Sequence, residues 1–109
     1  MDDLLKQIGT RIFDRRKQLR LTQEELAELA SITPQTISSA ELGKKALRPE
    51  NIIKICTALN ISTDYLLFGK ITEIDKSGLI SRMSSLTPKE YQHLEEIIIN
   101  YIDALNDRK

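Results

Sequence analysis

The stretch from Thr33 to Ser39, TPQTISS, sets one amide and four hydroxyls in a row, with no acid among them, in a chain that is otherwise 29% charged. Gln35 suits base reading best, because its side-chain amide donates and accepts at once and so matches N6 and N7 of adenine in the major groove. Ser39 and Ser38 come next, while Pro34 and Thr36 offer apolar contact to a thymine methyl or contact to a phosphate. Basic residues cluster on both sides. Arg11, Arg15, Arg16, Lys17 and Arg20 crowd one earlier segment, and Lys44, Lys45 and Arg48 follow the polar stretch. Each run alone is what any solvated helix or loop carries. Flanking the same short segment, the two together suit the phosphate backbone of duplex DNA.

Little else in the sequence points to chemistry. The single cysteine, Cys56, excludes an internal disulfide or a cysteine-rich zinc site, and in the apolar run Ile52, Ile53, Ile55, Leu59 it reads as a small buried hydrophobe. The lone His93 lies among polar residues without a second His or Cys nearby, so a solvated surface position outweighs a metal or catalytic one. There is no phosphate-binding glycine loop, no nucleophile with its base and no framed pair of carboxylates. The expectation is no enzyme, no metal and no cofactor.

The elements that position the polar stretch can be read from their ends. Thr22 and Glu25 form a capping box that opens one helix, with Leu26, Ala27, Leu29 and Ala30 as its apolar side and Glu24, Glu25 and Glu28 as its solvated side. Thr33 as N-cap and Pro34 at the first helical position open the next, with only Ser31 and Ile32 between the two. In this second helix Ile37, Ala40 and Leu42 supply the apolar side, Pro34, Gln35, Ser38 and Ser39 face out, and Gly43 ends it. An earlier helix should run from about Asp3 to Leu19, with Ile8, Ile12 and Leu19 inward. A fourth should span Pro49 to Leu59 with Asn60 as a left-handed cap, and a short fifth Thr63 to Leu67, capped by Ser62 and ended by Gly69.

TQEELAELASITPQTISSAELGKK, with IGTRIFDRRKQLRL before it and NIIKICTALNISTDYLLFG after it, resembles the helix-turn-helix domain of the Xre/Cro family of bacterial and phage repressors over about Ile8 to Gly69. The resemblance implies an all-α, phage-repressor-like domain of five helices whose third lies in the major groove, used as a two-fold dimer on a near-palindromic operator. It also implies an ion pair between Arg16 and Glu41, which tolerate burial only as a hydrogen-bonded pair, and a phosphate contact for Gln23. Arg11, Arg15 and Arg20 are then the phosphate ligands of the first helix, with Lys44, Lys45 and Arg48 beyond the third. Ser31 stands where the family's turn has Gly, a position of positive φ that costs Ser some strain.

After residues 1–69 the signals thin to a polar linker with a weak short helix over 70–86. Residues 87–109 then form a C-terminal helical extension, opened by a capping box at Thr87 and Glu90. Its seam of Tyr91, Leu94, Ile98, Tyr101 and Leu105 follows three- and four-residue steps, and Ile97 and Ile102 widen it. Such a stripe must be covered, either by its own domain or by a second subunit. The linker before it and a core already closed by Leu67 favour a homodimer through Tyr91, Leu94, Ile98, Tyr101, Ile102 and Leu105.

The 109 residues suit one domain with an appendage, and their net charge is zero. Residues 1–70 hold eleven Lys and Arg against nine Asp and Glu, a balance of +2, and residues 71–109 hold five against seven, a balance of −2. No run approaches the roughly 20 apolar residues of a membrane span, and the N-terminus does not read as a signal peptide. The sequence thus reads as a cytoplasmic, sequence-specific regulator of transcription that binds double-stranded DNA, most simply a repressor. The alternative is an antitoxin, or a regulator sequestered by an antagonist protein, acting through its C-terminal helix.

Overall fold

The computed structural model describes residues 2–107, and the regular elements among them are seven helices. These are α1 (Asp2–Gln18), α2 (Gln23–Ala30), α3 (Pro34–Glu41), α4 (Pro49–Leu59), α5 (Thr63–Phe68), α6 (Glu73–Met83) and α7 (Pro88–Asp107). The chain divides into two compact units, Met1–Gly78 and Leu79–Lys109.

Helix ends in the first unit follow from local chemistry. The Thr22 hydroxyl accepts from the Glu25 amide at 3.0 Å while the Glu25 carboxylate accepts from the Thr22 amide at 2.9 Å, which satisfies two of the free donors at the start of α2. Ser31 ends α2 in the left-handed region, φ 57 and ψ 44, and Ile32 returns its amide to Ala27 at 3.0 Å. Asn60 and Gly69 do the same after α4 and α5. These short helices join around one core of Ile8 and Ile12 from α1, Leu26 and Ala27 from α2, Ile37 and Ala40 from α3, Ile55, Cys56 and Leu59 from α4, and Leu66 from α5. Leu19, Tyr65 and Leu67 pack at its margin. Burial pushes the Cys56 thiol up to about 11, with the nearby Asp75 charge adding to the shift, so it stays a neutral, apolar group.

One glycine sets how close the layers come. A Cβ on Gly9 would collide with the carbonyl oxygens of Ala40 and Glu41, so α1 meets the end of α3 backbone to backbone. This contact fixes the height of α3 on the domain.

Two apolar assignments fail. Leu29 is 61% exposed and Leu42 is 59% exposed. On an eight-residue helix the buried arc is narrow, and Leu26, Ala27 and Ala30 fill it without Leu29. Leu42 is already the C-cap of α3, where the helix leaves the core.

The largest correction concerns the expected linker. Helix α6 begins at Glu73, within the segment read as polar linker, and its first turns belong to the first unit. The Asp75 carboxylate accepts from the amide and hydroxyl of Thr72, at 2.8 and 3.0 Å, and from the amide and hydroxyl of Ser62, at 2.9 and 2.8 Å. One side chain therefore starts α6 and ties it to the N-cap of α5. Burial would raise the pKa of Asp75, but these bonds outweigh it and hold the carboxyl below its ordinary value. Gly78 then lies buried against the Asn60 side chain.

In the second unit the Thr87 amide donates to Glu90 at 2.9 Å and the Glu90 amide to the Thr87 hydroxyl at 3.2 Å, the expected capping box of α7. No described side chain of α7 is buried. Among the described residues no helix is long and apolar enough to cross a membrane.

Candidate nucleic-acid interface

Helix α3 turns Ile37 and Ala40 into the core and leaves Pro34 and Gln35 exposed, with Thr36, Ser38 and Ser39 half-buried at its flanks. Its start is rigid: Pro34 holds the first turn, and the Thr33 hydroxyl accepts from the Thr36 amide at 3.2 Å and bonds the Thr36 hydroxyl at 2.9 Å. Gln35, Thr36 and Ser39 share a surface cleft of about 280 Å³ with Lys45 and Arg48 from the loop after α3. The structure thus brings the base-reading and phosphate-binding expectations onto one surface, and no acid lines it. Lys44 is exposed in the same loop, while Pro34 and Ser38 lie outside the cleft. Asn51 also lines it. Sequence reading missed this residue by treating α4 as scaffold throughout. Its place in the first turn after a basic loop was the available signal.

Behind this surface the end of α3 is anchored by Glu41. Arg16 donates to its carboxylate through Nε at 2.6 Å and Nη2 at 3.0 Å, and gives Nη1 to the Leu21 carbonyl at 2.8 Å. Gln23 donates its amide to the same carboxylate at 2.9 Å. The two charged side chains are 7% and 4% exposed, and among the described residues no buried side-chain nitrogen or oxygen lacks a partner. The hydrogen bonds that Arg16 donates to Glu41 raise its pKa further, against the desolvation that opposes it. The result is a fixed angle between α3, the tail of α1 and the head of α2. One Gln23 N–H is spent in this network. Gln23 nevertheless borders a second cleft, of about 430 Å³, with Lys17, Arg20 and Thr22.

Arg11 and Arg15 have other work. Arg11 donates Nη1 to the Leu66 carbonyl and Arg15 donates Nε to the Leu59 carbonyl, both at 3.0 Å. Each guanidinium meets free carbonyls at a helix C-terminus, where a cation is favoured. Each thus spends one N–H on a joint of α1, Arg11 on that with α5 and Arg15 on that with α4. Arg20 remains exposed, at a positive φ of 59°.

A family model described as helix-turn-helix matches residues 12–66, half of the chain. This chain belongs to the helix-turn-helix family. The family is one of DNA-binding transcription regulators and not of enzymes, and its Xre/Cro branch is the one the sequence resembles. The helix-turn-helix chain is 33% identical to the HTH-type transcriptional regulator DicA of Escherichia coli (strain K12) over 90 residues, 81% of this chain and 64% of that protein. A crystal structure of the P22 c2 repressor in complex with a synthetic operator is 35% identical, with a TM-score of 0.56, over 58% of this chain and 96% of that one. The restriction-modification controller protein C.AhdI of Aeromonas hydrophila is 32% identical, with a TM-score of 0.55, over 57% of this chain and 94% of that one. The chain spans between about a third and two-thirds of the length of the curated relatives it matches.

Proposed function

We propose that this helix-turn-helix protein is a sequence-specific, double-stranded DNA-binding regulator of transcription, a repressor that binds a near-palindromic operator as a dimer. The observation that carries the reading is the acid-free cleft in which Gln35, Thr36 and Ser39 meet Lys45 and Arg48. A short polar helix face bordered by cations enters a groove lined with phosphates without repulsion. Gln35 reads an adenine edge, Ser39 and Ser38 add polar contacts, and Pro34 and Thr36 lie against a thymine methyl or the backbone. Lys44, Lys45 and Arg48 hold phosphates on one side of α3. Arg20 and Gln23, with the free amides that open α2, hold them on the other. The operator complex of the P22 relative, alike over the same domain, supports this docking.

The dimer rests on α7, whose Tyr91, Ile98, Tyr101, Ile102 and Leu105 are exposed beside a half-buried Leu94. The same uncovered helix supports a second reading, an antitoxin or a regulator held by an antagonist protein through α7. Selection of bound sites from a random duplex pool separates the two. The proposal expects an enriched two-fold motif with half-sites about one helical turn apart. A folded protein that enriches no motif would overturn it in favour of the protein partner.

A further inference from the structure

Leu42 is 59% exposed and does not join the residues packed around the core. It follows the last turn of α3 with helical dihedrals, φ −83 and ψ −5, and its amide still bonds the Ser38 carbonyl at 3.1 Å, so the helical frame carries through it. At about 100° and 1.5 Å per residue, Leu42 returns to within about 20° of Gln35 and stands about 10 Å further along the axis. Ser38 and Ser39 lie to either side of that line, while Ile37 and Ala40 turn the other way, into the core. An isobutyl group therefore sits on the midline of a face otherwise built from an amide and hydroxyls.

We infer that Leu42 is a further specificity-determining residue, which reads the methyl group of a thymine in the major groove. This rests on the DNA-binding reading above and gives it a second reader at the far end of α3. Of the groups that base pairs present in the major groove, the thymine methyl is the apolar one, and the others donate or accept hydrogen bonds. A leucine side chain does neither. A polar base edge brought against it loses its water without a replacement bond, whereas a methyl group gains from the shared burial. Leu42 thus favours thymine twice, through the contact it makes and through the desolvation it imposes on other bases. With α3 lying along the groove, its distance from Gln35 corresponds to roughly three base-pair steps of about 3.4 Å. The thymine then stands about three pairs from the adenine that Gln35 reads.

The fold itself does not call for a leucine here. As the C-cap of α3, Leu42 contributes backbone bonds alone, and Gly43 behind it, at φ 68, turns the chain away from the helix. Shortening the side chain leaves both in place, so recognition can be altered without unfolding the domain. Pro34 and Thr36, the other residues set against a thymine methyl, belong to the first turn of α3. Any methyl they meet lies at the opposite end of the reading face, which separates their contribution from that of Leu42.

Removal of single methyl groups from the DNA tests the inference. Thymines of a site selected from the random pool are replaced one at a time by deoxyuridine, which deletes the methyl group and keeps every hydrogen-bonding edge. The pair read by Gln35 is the one at which Gln35→Ala relaxes the selection. With the parent chain, one replacement about three pairs from it should weaken binding by about three- to fivefold. Leu42→Ala should bind the unaltered site more weakly by a similar factor, bind random duplex as the parent does, and no longer respond to that replacement. A methyl effect that persists in Leu42→Ala, or the lack of any methyl effect at that distance, would overturn the inference. Leu42→Lys gives a second readout. A thymine reader changed in this way loses its preference for the selected site over random duplex, whereas equal tightening on both would place residue 42 beside the phosphates and overturn the inference. A pool that enriches no motif removes the DNA-binding reading itself, a failure told apart by the absence of any preferred site.

Discussion

Arg16 and Glu41 meet side-on through two hydrogen bonds, 2.6 and 3.0 Å long, and so join the tail of α1 to the end of the helix proposed to read DNA. Both side chains are nearly out of solvent, so removing one strands the other without water. Arg16→Ala or Glu41→Ala should each cost about 3–5 kcal/mol in urea unfolding. The double replacement Arg16→Met with Glu41→Leu should cost less than either single change, because no charge is left unpaired. Single losses near zero would show that water reaches the pair.

Ser31 supplies a second test, through the backbone. At φ 57 it occupies the left-handed region at the joint between α2 and α3, a conformation costly to a residue with a Cβ. Ser31→Gly should therefore stabilise the protein by about 0.5–1 kcal/mol, the relief of strain exceeding the added freedom of the unfolded chain. A thermal midpoint that falls instead would mean that the Ser31 side chain contributes more than its backbone costs.

Gly9 makes the opposite prediction. Its missing Cβ is what lets α1 touch the carbonyls of Ala40 and Glu41. Gly9→Ala must push α3 away from α1 and should cost about 1–3 kcal/mol, although Ala is the better helix former. Unfolding midpoints decide the sign.

Asp75 links the first turns of α6 to α5 in a pH-dependent way. Its carboxyl is held below its ordinary value in the fold. Its contribution is thus fully present above about pH 4 and is lost as the pH falls further and the carboxylate takes up a proton. Amide exchange in α6 should accelerate in that acid range, and Asp75→Ala should show the faster exchange already at pH 7. Equal protection in variant and parent at pH 7 would remove Asp75 as the tie.

These tests also mark what the sequence disclosed. Capping boxes at Thr22 and Thr87, Pro34 and Pro49 at helix starts, and the left-handed caps Asn60 and Gly69 are local devices, written within four residues, and the structure places them as read. Helix α6 carried the same kind of signal, Thr72 followed by Asp75. Gly78 disguised it by lowering helix propensity, and the bonds to Ser62 that secure it come from thirteen residues away. The charge run of α1 was ambiguous for a similar reason. Linear spacing cannot say that Arg11 and Arg15 meet the carbonyls of Leu66 and Leu59 while Arg20 stays at the surface. In the cleft beside α3, residue type alone had singled out Gln35, Ser39, Lys45 and Arg48 as candidates, whereas the presence of Asn51 there depends on how α4 abuts the loop.

The central claim is that the outward face of α3 reads base sequence, and Gln35 tests it most directly. Binding of the parent and of Gln35→Ala is measured on the selected site and on random duplex at one salt concentration. The account predicts a loss of about 1–3 kcal/mol on the selected site with little change on random duplex. Equal losses on both duplexes would contradict it, leaving Gln35 a backbone contact and α3 without its proposed reader.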